Sequence, residues 1–220
     1  MTMHDESDYI YQKWLNEGQK AELDFHIKNE WRRSPDFMEN TKLLFLGFGF
    51  SRNQFANKTI LDMGAGSKLR TLYFADAKII ALEPLADDYL NKVEYSDLKK
   101  ADEVYSLPAE DFIPELVERV DFCISINVLD HCYNFQKVCQ NIYKYLKHGG
   151  TAFLSFDSHA LTNPSHPLFI RYNECFNTLF DCGFVIEKFS QGFPDIYLNY
   201  KNVKTYGHGE ICLNYWLRKI

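Results

Sequence analysis

The chain has 220 residues, 46% of them hydrophobic and 16% aromatic. That suits one domain, with or without a small appendage, and a packed core, which excludes a disordered or collagen-like chain. Thirty acidic against 24 basic residues leave a net charge of −6, which disfavours a grip on duplex DNA through its phosphates but not a local pocket for a small anion.

The start, Met1-Thr2-Met3-His4-Asp5-Glu6, has no basic segment followed by an apolar run, so no secretory signal is visible. The richest apolar stretch, residues 42–50, is too short for a membrane span. The expectation is a soluble, cytoplasmic protein. Residues 8–50 read as helical. Tyr9, Trp14 and Leu15 fall on one face, and Gly18 reads as a break. Residues 21–33 make a second helix, ended by Ser34-Pro35, and residues 36–50 a third.

After Asn57 the pattern changes. Residues 59–63 form a short apolar strand broken by Gly64-Ala65-Gly66-Ser67, with a helix expected over 68–74. Residues 78–82 form the next strand, closed by Glu83-Pro84, and 86–91 a helix. Residues 102–105 are a weak strand and 120–126 a strong one. Apolar residues at helical spacing predict an amphipathic helix over 134–146, capped by Gly149-Gly150. A strand over 151–156, a helix over 173–182 and strands over 184–189 and 210–217 complete the chain. The last two strands, with no helix between them, could close a sheet edge as a hairpin. The early strands are continuous apolar runs, which argues for a parallel sheet covered by helices on both faces. Cys123, Cys132, Cys139, Cys175, Cys182 and Cys212 form no CxxC pair, so they read as reduced, buried thiols, and no metal site is expected.

Ligands of open parallel sheets bind beyond the carboxyl ends of the strands. There the first strand offers Asp62-Met63-Gly64-Ala65-Gly66, whose glycines permit a sharp turn and a close ligand. The second offers Glu83, 21 positions after Asp62, an acid placed to take both hydroxyls of a ribose. A dinucleotide fold would want a third glycine near position 69, which is Leu69.

Asp-x-Gly-x-Gly resembles the first motif of class I S-adenosylmethionine-dependent methyltransferases. Residues 59–67, 79–84 and 106–112 resemble the first three motifs of that family in order. Residues 120–155, with Val128-Leu129-Asp130-His131 and Leu146-Lys147-His148-Gly149-Gly150, resemble its central block. The resemblance implies a Rossmann-like, seven-stranded, mostly parallel α/β sheet with the last strand antiparallel. Residues 1–56 would be a helical cap of the same domain, and residues 57–220 would bind the cofactor, S-adenosyl-L-methionine. It implies that Gly64, Ala65 and Gly66 pack on the amino acid part of the cofactor and that Asp62 lies beneath it. Glu83 and Pro84 would flank the ribose, Ala109 and Glu110 the adenine, and Asn127 and Val128 the methionine side. Pro108 stands where relatives often have an adenine-binding Asp, which leaves Glu110 or Asp111 to substitute. His148 stands where they usually have Pro, read as a neutral turn change.

Methyl transfer from a sulfonium is an in-line displacement in which the enzyme mainly aligns the partners, and an alcohol acceptor must also lose a proton. His131, just past the fourth strand, is the first candidate base. His159 and His166, after the fifth strand, are candidates for the acceptor side, as is Tyr11 in the helical start. Asp157 and Tyr197 are weaker, and His208 reads as part of a turn. Tyr9, Trp14 and Trp31 could add aromatic walls, though packing is the plainer role for the two tryptophans. The run from Ala81 to Tyr89 resembles bacterial methyltransferases of surface polysaccharide pathways. The expectation is therefore O-methylation of a small polar acceptor: a sugar, a nucleotide-linked sugar or a phosphate-bearing decoration. N-methylation of an amine or amino sugar, and a catalytically silent cofactor-binding subunit, are the alternatives. No nucleic acid or membrane partner is expected; a homodimer is left open.

Overall fold

In strand β1 (Thr59–Met63) four consecutive residues are buried after Thr59, and β2 (Lys78–Leu82) repeats the pattern after Lys78. Strands of that kind need cover on both faces, and they pair in parallel inside a seven-stranded sheet. The computed structural model describes residues 3–159, 162–192 and 211–220. Tyr197 and the turn around His208 lie outside them. The strand order is β3-β2-β1-β4-β5-β7-β6, with β3 (Glu103–Tyr105), β4 (Val120–Ile126), β5 (Leu146–Ser158), β6 (Phe184–Gly192) and β7 (Ile211–Lys219). β7 runs antiparallel to both its neighbours, β5 and β6, and the other described pairs are parallel. As expected, the last two strands pair antiparallel at one edge of the sheet, with β7 beside β5 and β6 outermost.

Helix α6 (Phe135–Tyr145) is strongly amphipathic, and it buries Val138, Cys139, Ile142 and Tyr145 in the main core. Asn134 caps it by accepting from the Lys137 amide at 3.0 Å. Gly149-Gly150 is no helix cap. It lies inside β5, where the register slips between Val120↔Leu146 and Phe122↔Thr151 and Gly149 takes φ +75. Helices α5 (Ala86–Lys92) and α7 (Tyr172–Asp181) lie close to their predicted bounds.

The helix expected over 68–74 is only a 3-10 turn, Arg70–Tyr73. Fourteen residues separate β1 from β2, and the glycine turn uses the first of them. The rest is pinned: the Leu69 amide donates to Asp97 Oδ1 at 2.7 Å and the Thr71 hydroxyl to Asp62 Oδ2 at 2.6 Å. The sheet face left bare is sealed from the N-terminal segment. Phe45 of α4 (Asp36–Gly47), with Phe50, Phe55 and Phe74, packs on Ile60, Phe122, Ile124 and Phe153.

The helical start is α1 (Met3–Lys13), a π-helical turn (Trp14–Gly18) and α2 (Gln19–Lys28), then a short α3 (Glu30–Arg33) and α4. Gly18 does not break the run: its φ of −62 and ψ of −52 are helical. Glycine is needed there for another reason, because a Cβ would stand 2.5 Å from the Pro164 carbonyl oxygen in the loop after β5. The helical start and that loop therefore meet. No described helix is long and apolar enough to cross a membrane.

Candidate functional site

A cavity of about 790 Å³ opens where β1, β2, β4 and β5 end and is roofed by residues of α2 and α3. Its floor is the turn after β1. Gly64 has φ +70 and Gly66 φ +63, a region L side chains rarely adopt. A Cβ on Gly64 would stand 2.3 Å from a Val128 methyl carbon, so the turn is bare because Val128 packs directly on it. Glu83 ties the turn down, accepting from the Gly66 amide at 2.9 Å and the Leu85 amide at 3.0 Å. Burial pushes its carboxyl up to about 7 against the pull of those two amides. Each oxygen keeps a lone pair for a further donor. Asp62 is likewise raised by burial, to about 6, although Thr71 donates to it.

The roof bears on the same turn. His26 of α2 stacks on Tyr89, with ring centroids 4.4 Å apart. Its Nδ1 lies 2.7 Å from Ser67 Oγ and accepts from the Ser67 amide at 3.3 Å, which leaves the ring proton on Nε2. Burial, aided by the Arg32 charge, lowers its pKa to about 3, so the ring is neutral. Arg32 is only 8% exposed, its guanidinium lies about 5.7 Å from the Phe25 and Phe37 rings, and Nη1 is 3.6 Å from where a Gly66 Cβ would be. Among the described residues it makes no ion pair.

The far side of the cavity is built from the ends of β4 and β5. Asn127 holds φ +56 directly after β4, a strained position for which asparagine is comparatively suited. A 3-10 turn then carries Asp130 and His131. Asp130 is fully buried, and its Oδ2 lies 2.9 Å from His159 Nε2 and 2.8 Å from His166 Nδ1. The His159 and His166 ring centroids are 4.0 Å apart. Burial would raise Asp130, but the surrounding imidazoles hold its carboxyl far below the usual range.

His131 lines the cavity with a carboxylate toward each nitrogen. Nδ1 is 3.2 Å from Glu22 Oε1, and Nε2 is 3.6 Å from Asp130 Oδ2. Burial pulls its pKa down, but the two carboxylates outweigh that and lift it to about 9. A ring so placed carries its proton at neutral pH and is a donor, so the resting arrangement does not suit the expected base.

Of the expected cofactor-side residues, Asp62, Gly64, Ala65, Gly66, Glu83, Pro84, Ala109, Glu110, Asn127 and Val128 all line this one cavity, as do His159 and His166. Tyr11 does not: its ring packs on Tyr133 and Trp14, with centroids 4.9 and 6.1 Å away. Tyr9 is exposed, whereas Trp14 and Trp31 reach the wall. Of the two acids offered in place of Pro108, Asp111 is exposed and off the wall. Glu110 is on it, but its Oε1 accepts from the Tyr133 and Asn134 amides at 2.7 and 3.0 Å, supporting the start of α6. Burial lifts Glu110 to about 7. Sequence reasoning missed Glu22, His26 and Arg32. The first two lie in α2, a helix with little amphipathic signal, and Arg32 in the four-residue α3, and only folding the roof over the glycine turn gives them a role.

Residues 61–154 match a family described as a methyltransferase domain. No curated protein matches the chain. Among solved structures, an S-adenosylmethionine-dependent methyltransferase from Mesorhizobium loti aligns at TM-score 0.60 and 13% identity, over 81% of this chain and 98% of its own. A 1,6-didemethyltoxoflavin-N1-methyltransferase from Burkholderia thailandensis, with 1,6-didemethyltoxoflavin and S-adenosylhomocysteine bound, aligns at 0.57 and 16%, over 100% and 91%. A phosphoethanolamine N-methyltransferase 2 from Haemonchus contortus aligns at 0.66 and 12%, over 94% of this chain and 59% of its own. At these identities the likeness is one of fold.

Proposed function

We propose that this chain, whose residues 61–154 match the methyltransferase-domain family, is a class I S-adenosylmethionine-dependent methyltransferase that methylates an oxygen of a small polar metabolite. The candidate acceptors are a sugar, a nucleotide-linked sugar or a phosphate-bearing decoration of a surface polysaccharide. One observation carries the reading: one half-open cavity has the glycine turn and Glu83 on one side and a histidine–carboxylate cluster on the other. The first side suits a nucleoside with an amino acid tail, and the second suits a polar acceptor.

In this reading Glu83 takes the ribose hydroxyls, and Gly64 and Gly66 let the methionine part lie against the backbone. Arg32, poised over the turn, meets the cofactor carboxylate. Asn127 and Val128 border the sulfonium. The methyl carbon passes in line from sulfur to the acceptor oxygen, the cofactor leaves as the neutral thioether S-adenosylhomocysteine, and the hydroxyl proton passes to Asp157, a carboxylate on the cavity wall. His131, with its proton held by two carboxylates, orients the acceptor as a donor. Its contact partners Glu22 and Asp130 act as positioning residues.

N-methylation of an amine is the second reading. It draws on Glu22, Asp130 and Asp157 around the acceptor side, where carboxylates favour a cationic substrate, and on two relatives named as N-methyltransferases. The test is a methyl-transfer screen over nucleotide sugars, phosphorylated metabolites and amino sugars, read by mass spectrometry with fragmentation to locate the methyl. An O-methylated product is expected. A product methylated only at nitrogen would transfer the assignment to the second reading. Cofactor binding without transfer to any acceptor would favour a silent subunit.

A further inference from the structure

We propose that Asp130, His159 and His166 form a binding site for one divalent late first-row transition ion, of the Zn²⁺ or Co²⁺ kind, with open positions toward the acceptor half of the cavity. The three residues come from the turn after β4, the residue that follows β5 and the loop beyond it. Their donor atoms, Asp130 Oδ2, His159 Nε2 and His166 Nδ1, lie within 4.8 Å of one another, two of the three separations being 2.8 and 2.9 Å. Small side-chain shifts bring such a set to the ~2.0–2.2 Å of zinc-type ligands.

Two imidazoles and one carboxylate select a borderline-soft ion rather than Mg²⁺ or Ca²⁺, which prefer all-oxygen shells. Three protein ligands leave at least one position open, the pattern of sites that bind a reactant rather than only staple a fold. His159 and His166 line the cavity, so that position faces it.

A second observation points the same way. Both imidazoles converge on one oxygen of Asp130, while Asp130 Oδ1 is fully buried with no hydrogen-bond partner among the described residues. A network built only for hydrogen bonding would spread its donors over both oxygens, since a bare buried carboxylate oxygen is costly. An ion between the three groups can use either oxygen or both. Glu22 and Asp157, which interact with His131 beside the triad, add negative charge that helps compensate a divalent cation.

The acceptor half of the proposal rests on the O-methylation reading: an acceptor hydroxyl in the open position would be held by the ion and made easier to deprotonate. The ion site itself does not depend on that reading, and it is tested without activity.

Chelator-treated protein is titrated with Co²⁺ and with Zn²⁺ by calorimetry. The Co²⁺ form is then examined by optical and X-ray absorption spectroscopy, with circular dichroism and a cooperative thermal melt as the control for an intact fold and a separate S-adenosylhomocysteine titration. One ion per chain is expected, with outer-shell scattering from two imidazoles. His159→Ala and His166→Ala should each weaken it by at least about tenfold. No saturable one-to-one binding, a bound Co²⁺ without imidazole scattering, or unchanged affinity in both folded variants would overturn the site and leave a hydrogen-bonded triad. Failure of wild type to bind S-adenosylhomocysteine would remove the function proposed above and leave the ion site standing.

Discussion

Arg32 is a buried cation lying over a turn of bare backbone, and desolvating a guanidinium without a carboxylate partner is costly. The carboxylate of the cofactor's amino acid part would supply that partner. Arg32→Ala should therefore weaken S-adenosylhomocysteine binding by about 1.5–3 kcal/mol, the range of hydrogen bonds to charged groups. It should leave 5′-methylthioadenosine, which lacks the amino acid part, bound as before; equal losses for both ligands would remove Arg32 from that role. Glu83 makes a pH prediction. Burial holds its folded pKa near 7 against an ordinary 4.5. Its stabilising share is thus fully present below about 4.5 and lost as pH rises through about 7. Ribose hydroxyls favour the ionised form, so cofactor binding at pH 7 should release a proton. Calorimetry in two buffers of different ionisation enthalpy should show that release, and Glu83→Gln should abolish its share. Gly64→Ala places a Cβ 2.3 Å from Val128 at a φ of +70. It should cost about 1–3 kcal/mol in backbone strain plus the clash. Val128→Ala should restore only the larger part of the steric cost, since its Cβ still lies 2.9 Å away, and urea melts of the single and double variants can separate that share from the backbone strain.

These residues were unequally legible. Glu83 and the two glycines stand at strand ends, where short apolar runs mark the positions at once. His131 was legible as a residue of the cavity wall, but not its neighbour, because the Glu22 carboxylate that flanks it comes from a helix 109 positions away in sequence. Asp130, His159 and His166 carry no spacing signal at all. Their convergence is a product of β4 and β5 lying side by side.

Among the elements, the segment between β1 and β2 departs most from expectation. Its apolar residues read as a helix, but Leu69, Thr71 and Phe74 are buried by tethers to Asp97, Asp62 and the aromatic layer instead. Helix α4 takes over the covering role, so the N-terminal segment is structural as well as a roof. Phe45, fully buried against Phe50, Tyr73 and Phe74, makes that testable. Phe45→Ala should destabilise the protein by about 3–5 kcal/mol, and a loss below 1 kcal/mol in denaturant melts would mean that α4 is a detachable cap. The strands themselves were legible because burial on both faces leaves an unbroken apolar run. The closing pair of β6 and β7 was legible too, but not that β7 meets β5 and leaves β6 outermost, since sequence order does not say which strand of such a pair faces the sheet.

At the scale of the molecule, 220 residues with a net charge of −6 first spoke only against DNA. The folded chain gathers that surplus usefully: buried Asp62, Glu83, Glu110 and Asp130 all lie at the carboxyl ends of the strands or just beyond. Gly18 against Pro164 joins the helical roof to the loop after β5, so the two segments left over from the sheet together close one cavity. The central claim is that this cavity holds S-adenosylmethionine with Glu83 on its ribose. Calorimetric titration with S-adenosylhomocysteine tests it most directly. The account predicts one-to-one binding with a Kd in the micromolar range or tighter, weakened at least about tenfold in Glu83→Ala; no binding by the folded wild-type protein, or equal binding by the variant, would contradict it.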